Sequence, residues 1–84
     1  MNLFVANISR EVSENALKAL FSEFGEVTSV KIVIDRTTGF SKGFGFVEMQ
    51  NEHAAAIAIK KLTHANFFGM TLMVTKARPK TSVH

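Results

Sequence analysis

The chain has 84 residues, of which 46% are hydrophobic and 20% are charged, and it contains no cysteine. This length allows one small domain with a modest core, and the composition differs from that of disordered segments. Disulfide bridges, thiolate metal sites and a cysteine nucleophile are excluded. No apolar run approaches the roughly 18 residues of a membrane span, so we expect one soluble, cytoplasmic domain.

The net charge of +3 is distributed unevenly along the chain. Residues 1–50 carry 5 basic and 6 acidic side chains, whereas residues 51–84 carry 5 basic side chains and a single acidic one. Basic residues near the C-terminus can attract phosphate groups. They are Lys76, Arg78 and Lys80. Mild basicity is also common in proteins that bind no nucleic acid, so charge alone does not define the function.

The first part of the chain predicts a strand, a helix and a second strand. Residues 3–8 form a short apolar run, and residues 27–34 form a β-branched run that is followed by polar residues. Between these runs, apolar residues recur at spacings of three and four, which is typical of an amphipathic helix. Ser13 is the predicted N-cap of this helix, and Gly25 is its predicted end.

The remaining residues predict a strand, a helix and a final strand. Alternation along residues 43–49 places two aromatic side chains and one acidic side chain on the same strand face. They are Phe44, Phe46 and Glu48. Asn51 can cap the second helix, and residues 72–75 form the last strand.

The predicted order of elements is βαββαβ, a split βαβ pattern of the α+β class. In such a ferredoxin-like sandwich, two helices cover one face of a four-stranded antiparallel sheet. The residues after the last strand are too few and too polar to cover the other face. We therefore expect Phe4, Phe44 and Phe46 to be exposed there, and exposed apolar patches of this kind usually mark binding surfaces.

Two segments resemble the motifs of the RNA recognition motif family. Residues 42–49, KGFGFVEM, match seven of the eight positions of its octamer, and residues 3–8, LFVANI, are similar to its hexamer. The octamer has an aromatic residue where this chain has Met49, whose strand parity places it in the core, so this departure concerns packing. The resemblance, which is to short single-domain members, predicts a domain of residues 1–79 and a short basic and polar tail of residues 80–84.

The resemblance implies a non-enzymatic module that binds single-stranded RNA. An aromatic ring stacks on the π-face of an unpaired base and contributes about 1–3 kcal/mol per base. In this family, Phe4 and Phe44 would each stack one base, Phe46 would pack between neighbouring sugars, and Lys42 would pair with a phosphate. Further contacts are expected from polar residues at the sheet edges and in loops. The candidates are Asn7, Lys31, Arg36, Lys76 and Arg78.

The residues also leave two other hypotheses open. Val33 and Met73 are predicted to lie on the same open sheet face, where they would extend an apolar patch suited to a docking protein. A hydrolase is the third hypothesis, because one fold serves many functions. However, we find no paired carboxylates, activated nucleophile or metal cluster in the sequence.

The RNA-binding hypothesis carries further expectations. We expect no cofactor, no metal ion, no small-molecule substrate and no membrane association. Single-stranded DNA is a second candidate ligand, and a monomer is the expected state. The expected biological role is post-transcriptional regulation or RNA chaperoning.

Overall fold

The computed structural model describes residues 1–77, which form two helices and six strands; residues 78–84, including the predicted tail, lie outside the described part. The elements in chain order are β1 (Asn2–Ala6), α1 (Glu14–Ser22), β2 (Val27–Ile34), β3 (Ser41–Met49), α2 (Glu52–Leu62), β4 (Asn66–Phe67), β5 (Met70–Thr71) and β6 (Met73–Lys76). Four strands form an antiparallel sheet in the order β2-β3-β1-β6, and β4 pairs with β5 in a separate small hairpin. The predicted α+β fold is confirmed, and the hairpin is an addition to it.

Both helices begin at the predicted capping residues. The Oγ atom of Ser13 accepts a hydrogen bond from the backbone N–H of Ala16 at 3.0 Å. The Oδ1 atom of Asn51 accepts one from the backbone N–H of Ala54, also at 3.0 Å. These bonds satisfy backbone donors that have no partner in the first turn of a helix.

Gly25 does not end α1, and the sequence-based prediction was wrong on this point. The helix ends at Ser22, and Gly25 lacks the positive φ of a left-handed helix cap. A Cβ atom at Gly25 would lie 2.6 Å from the Cβ atom of Ala54. The glycine is therefore needed for the close approach of α2 to the segment that follows α1.

The core lies between the two helices and one face of the sheet. It contains apolar side chains from both helices and from alternate strand positions. Its members with no exposed surface include Leu3, Val5, Leu17, Phe21, Val47, Met49, Ala55, Ala58 and Leu72. The burial of Met49 confirms the predicted core position. Within residues 1–77, no polar or charged side chain is buried, so apolar burial is the main interaction that holds the layers together.

The pairing of β2 with β3 is irregular near the end of β2. Ile32 pairs with Gly45 and Ile34 with Ser41, so Val33 alone on β2 stands against residues 42–44, and the extra residues lie on β3. The backbone N–H of Ile32 donates a hydrogen bond to the Oε2 atom of Glu14 at 3.0 Å. The first residue of α1 thus connects the helix to the irregular part of the strand, where ladder hydrogen bonds are disrupted.

The two helices are short, with 9 residues in α1 and 11 in α2. In the described part of the chain, neither is long and apolar enough to cross a membrane.

Candidate nucleic-acid interface

The sheet face opposite the helices, here called the open face, carries the three predicted phenylalanines. Phe4 lies directly opposite Phe46 in the pairing of β1 with β3. The ring centroid of Phe4 lies 5.6 Å from that of Phe46 and 5.7 Å from that of Phe44. The rings are tilted relative to Phe4 by 54° and 43°. Phe46 is 40% exposed, whereas Phe4 and Phe44 are half-buried. The three rings therefore form one continuous aromatic platform.

The strand pairing arranges the open face in three rows that cross the strands. The apolar row contains Phe44, Ala6 and Met73. The aromatic row contains Lys31, Phe46, Phe4 and Thr75. The polar row contains Ser29, Glu48 and Asn2. Successive residues on one face are two positions apart, so neighbouring rows are separated by about 6.8 Å along a strand.

Charge is distributed unevenly along the open face. The end at which β1 stops and β3 begins, here called the cationic end, has three exposed basic residues in or beside its loops. They are Arg10, Arg36 and Lys42. Glu11 and Asp35 lie in the same loops, but Oδ1 of Asp35 accepts a hydrogen bond from the backbone N–H of Thr37 at 2.8 Å. The opposite end has the carboxylate of Glu48, which lies in the polar row.

The structure places three of the predicted basic contacts where they can reach a strand of RNA on the open face. Lys31 is exposed and lies directly opposite Phe46. Lys42 is the second residue of β3 and lies near the apolar row, and Arg36 is exposed in the loop between β2 and β3. Their contacts with a ligand stay predictions, but their positions are compatible with phosphate binding.

The other two basic candidates have different positions. Lys76 lies opposite Leu3 and shares the strand parity of Val74, both of which belong to the core. It therefore lies on the edge strand β6, at a position that belongs to the helix-covered face of the sheet and not to the open face. Arg78 lies outside the described residues.

Asn7 makes a contact within the protein. Its backbone has a φ of 61°, and its Nδ2 atom donates a hydrogen bond to the carbonyl oxygen of Thr71 at 2.6 Å. Asparagine adopts this left-handed conformation more readily than most residues. The side chain thus connects the end of β1 to the small hairpin, and an RNA contact by Asn7 stays a prediction.

Gly45 brings β2 and β3 together beneath the platform. A Cβ atom at this position would clash with the carbonyl oxygen of Lys31 and would lie 3.0 Å from the Cα atom of Ile32. Any larger residue would therefore push β2 away from β3. The sequence shows a glycine between two phenylalanines, but it does not show which strand occupies the adjacent space.

Two exposed phenylalanines outside the open face were not assigned from the sequence. The guanidinium carbon of Arg10 lies 4.8 Å from the ring centroid of Phe40, which is 55% exposed. This pair borders a cavity of about 230 Å³ beside Ile34. In the small hairpin, Phe68 is 51% exposed and its ring packs edge-on against Phe67 at 4.8 Å. The contact of Arg10 with Phe40 has no local sequence signal, because it joins two loops that are distant in the sequence.

No group of three or more histidine, cysteine, aspartate or glutamate residues within residues 1–77 could hold a metal ion. The chemical groups gathered on the open face are aromatic rings, aliphatic side chains, two hydroxyls, an amide and charges of both signs. This set is suited to binding by stacking, hydrogen bonding and charge attraction.

Comparisons with known proteins agree with this geometry. The family model for the RNA recognition motif matches residues 3–73. The protein RbpA of Nostoc sp. strain PCC 7120 is 45% identical over 80 residues, which are 95% of this chain and 78% of RbpA. The crystal structure of RNA-binding protein PG1 is similar with a TM-score of 0.89 and 44% identity, covering 95% of this chain and 99% of PG1. An Sxl-lethal protein/RNA complex is similar with a TM-score of 0.89 and 32% identity, over 96% of this chain and 48% of that protein chain. The chain therefore belongs to the RNA recognition motif family.

Proposed function

We propose that the protein binds single-stranded RNA on the open face of its sheet and does not catalyse a reaction. The observation that carries this proposal is the continuous platform of Phe4, Phe44 and Phe46, which the helices leave uncovered. Family membership supports it, as does the similarity to a protein in complex with RNA. Bases that are not paired in a duplex offer their faces to such rings, and stacking tolerates any base sequence.

The exposures of the rings favour particular roles. A base needs an open ring face, and Phe46, at 40%, is the most exposed of the three rings, whereas Phe4 and Phe44 are both half-buried. Phe4 lies directly opposite Phe46 in the aromatic row. We therefore propose that Phe46 and its neighbour Phe4 are the two base platforms and that Phe44, in the next row, contacts the sugars between them. This assignment exchanges the roles of Phe44 and Phe46 that the family resemblance implied.

Basic residues add a smaller, salt-dependent contribution. Lys31, Arg36 and Lys42 are exposed around the platform, so each can approach a phosphate without being buried. For a single strand, the slope of log K against log salt is about −0.7 per neutralised phosphate. Few contacts therefore give a shallow salt dependence, and two stacked bases give a dissociation constant that is roughly micromolar or weaker.

Stacking does not require the 2′-hydroxyl of RNA. Single-stranded DNA of the same base sequence is therefore proposed to bind as well, with the loss of any contacts to that hydroxyl. We further propose that one protein molecule binds as a monomer, because a single chain supplies the whole platform.

The proposal is tested by titrating labelled single-stranded RNA pools with the wild type, Phe4→Ala and Phe46→Ala. Loss of one stacking platform should weaken binding by about 5- to 150-fold, which corresponds to about 1–3 kcal/mol. Phe68→Ala is the matched control, because it removes an equally large exposed ring that lies off the open face. The proposal fails if Phe46→Ala binds RNA like the wild type, or if Phe68→Ala weakens binding to the same extent.

A protein-docking role is the second candidate. The observation in its favour is Met73, which is 43% exposed and extends the apolar row beyond Ala6. Exposed methionine is frequent at adaptable protein-binding surfaces. Under this alternative, wild type would bind no RNA pool, and Met73→Ser would abolish capture of a protein partner.

A further inference from the structure

The polar row is the last row of the open face, at the end opposite the cationic end. Ser29, Glu48 and Asn2 lie side by side on β2, β3 and β1, and all three side chains are exposed. Glu48 is the one acidic residue among the three rows of the open face in residues 1–77. A carboxylate repels phosphate groups, so any part of an RNA strand that approaches Glu48 must present hydrogen-bond donors.

The charges of the open face orient a bound strand. Phosphates are attracted to the cationic end, formed by residues in and beside the loops that follow β1 and precede β3. The polar row lies at the other end, beyond the aromatic row. A nucleotide whose phosphates lie toward the cationic end and whose base stacks on Phe46 therefore directs the edge of that base toward Glu48.

The distances are compatible with a direct contact. Glu48 follows Phe46 by two residues on the same face of β3, which is a separation of about 6.8 Å along the strand. A base centred over the Phe46 ring extends part of the way from Phe46 toward Glu48. A charge-assisted hydrogen bond of about 2.7–2.9 Å between a base nitrogen and the carboxylate then spans the remainder.

The four RNA bases differ in what they present to a carboxylate. Guanine has an imino N–H and an amino group side by side, so both can donate to the two oxygens of one carboxylate. Cytosine and adenine present one amino group beside a ring nitrogen that accepts, and uracil presents one imino N–H between two carbonyl oxygens. The hydroxyl of Ser29 or the amide of Asn2 can donate to the remaining carbonyl oxygen of guanine.

We propose that Glu48 makes the polar row a guanine-selective subsite next to the base platform of Phe46. The inference rests on the proposed function, since it requires RNA on the open face. Bidentate pairing of a charged side chain with one base commonly discriminates against the wrong base by tenfold or more. Stacking on Phe46 tolerates every base, so the carboxylate supplies a selectivity that the ring lacks.

The test uses short RNAs that differ at a single position, which carries guanine, inosine, adenine, cytosine or uracil in a background without guanine. Inosine keeps the imino N–H of guanine but lacks its amino group. The wild type should bind the guanine RNA about tenfold more tightly than each of the others. Glu48→Gln should bind the guanine and inosine RNAs equally, because it replaces one carboxylate oxygen with an NH2 group, which donates and cannot pair with the amino group of guanine.

Glu23→Gln is the matched control. It removes the same charge from an exposed position at the end of α1, outside the sheet. It should keep the preference for guanine. Circular dichroism of both variants checks that each is folded.

Three outcomes would overturn the inference, and the third would overturn the proposed function as well. If the wild type binds all five RNAs equally while Phe46→Ala still loses binding, the guanine subsite is wrong and the proposed function stands. If Glu48→Gln strengthens binding to every RNA by the same factor and keeps the preference for guanine, the carboxylate only repels phosphates. If Phe46→Ala binds like the wild type, the proposed function itself fails.

Discussion

The two faces of the sheet are formed by alternate residues of the same strands, yet they have opposite environments. In β1, Leu3 and Val5 are fully buried against the helices, whereas Phe4 between them lies on the open face. In β3, Val47 is fully buried and its neighbour Phe46 is 40% exposed. All of these side chains are apolar, so their hydrophobicity alone does not decide their burial. The position of the helices decides it.

This difference separates residues that stabilise the fold from residues available for binding. Burial of apolar surface contributes about 25 cal/mol per Å² to stability. The rings of the open face leave part of their surface in water, so this part contributes nothing until a ligand covers it. We therefore expect substitutions on the helix-covered face to change stability, and substitutions on the open face to change binding.

The largest expected effect follows from removing a core ring. Phe21 is fully buried in α1, so Phe21→Ala should lower the free energy of unfolding by about 3–5 kcal/mol. Phe46→Ala should change it far less, because part of that ring already faces water. Urea denaturation of both variants measures the contrast. Equal destabilisation would show that the open-face ring is as important for stability as the core ring.

The next effect concerns the space between β2 and β3. Gly45→Ala should destabilise the protein by about 1–3 kcal/mol, because the added Cβ meets the backbone of β2. Gly39→Ala is the control: its φ of 78° disfavours alanine, but no atom lies within 4 Å of the added Cβ. A larger loss of thermal stability in Gly39→Ala than in Gly45→Ala would contradict the steric argument.

The proposed roles of Phe44 and Phe46 can be tested by a double-mutant cycle that combines protein substitutions with abasic sites in the RNA. An abasic nucleotide is introduced at each RNA position in turn, and binding is measured with wild type, Phe44→Ala and Phe46→Ala. A base that stacks on Phe46 should show a coupling of about 1 kcal/mol with that ring. The changes in binding free energy caused by loss of any base and by Phe44→Ala should be additive. Coupling of a base to Phe44 instead of Phe46 would restore the roles implied by the family resemblance.

A smaller effect is expected from the contact between α1 and the irregular part of β2. Glu14→Ala removes the acceptor for the backbone N–H of Ile32 and should destabilise the protein by about 1 kcal/mol. Hydrogen exchange at the Ile32 amide should become faster. Glu11→Ala removes an exposed carboxylate from the preceding loop and serves as the control. Unchanged exchange at Ile32 in Glu14→Ala would show that this hydrogen bond is unimportant in solution.

Several features were predictable because their causes are local. The caps at Ser13 and Asn51 depend on a side chain and a backbone N–H three residues later. The positions of Phe44 and Phe46 on one face depend on the two-residue period of a strand. The uncovered face followed from counting the elements available to cover it, and the family motifs added the RNA-binding hypothesis.

Other features could not be predicted, because they depend on segments that are distant in the sequence. Gly25 is explained by Ala54 of the second helix. Asn7 was predicted to contact RNA as a polar residue at the sheet edge, and its hydrogen bond to the carbonyl oxygen of Thr71 in the small hairpin could not be predicted. The hairpin itself has strands of only two residues, which are too short for a periodic signal.

Hydrophobic periodicity and capping residues were thus enough to predict the order of the two helices and the four strands of the main sheet, the fold class and the three rings of the open face. These properties arise from interactions within one helix or strand. The relative exposure of Phe44 and Phe46, the close approach of β2 to Gly45 and the alignment of Glu48 with Asn2 and Ser29 required the tertiary structure. They depend on strand register and on the two shifts in the pairing of β2 with β3, which are set by packing among several elements at once.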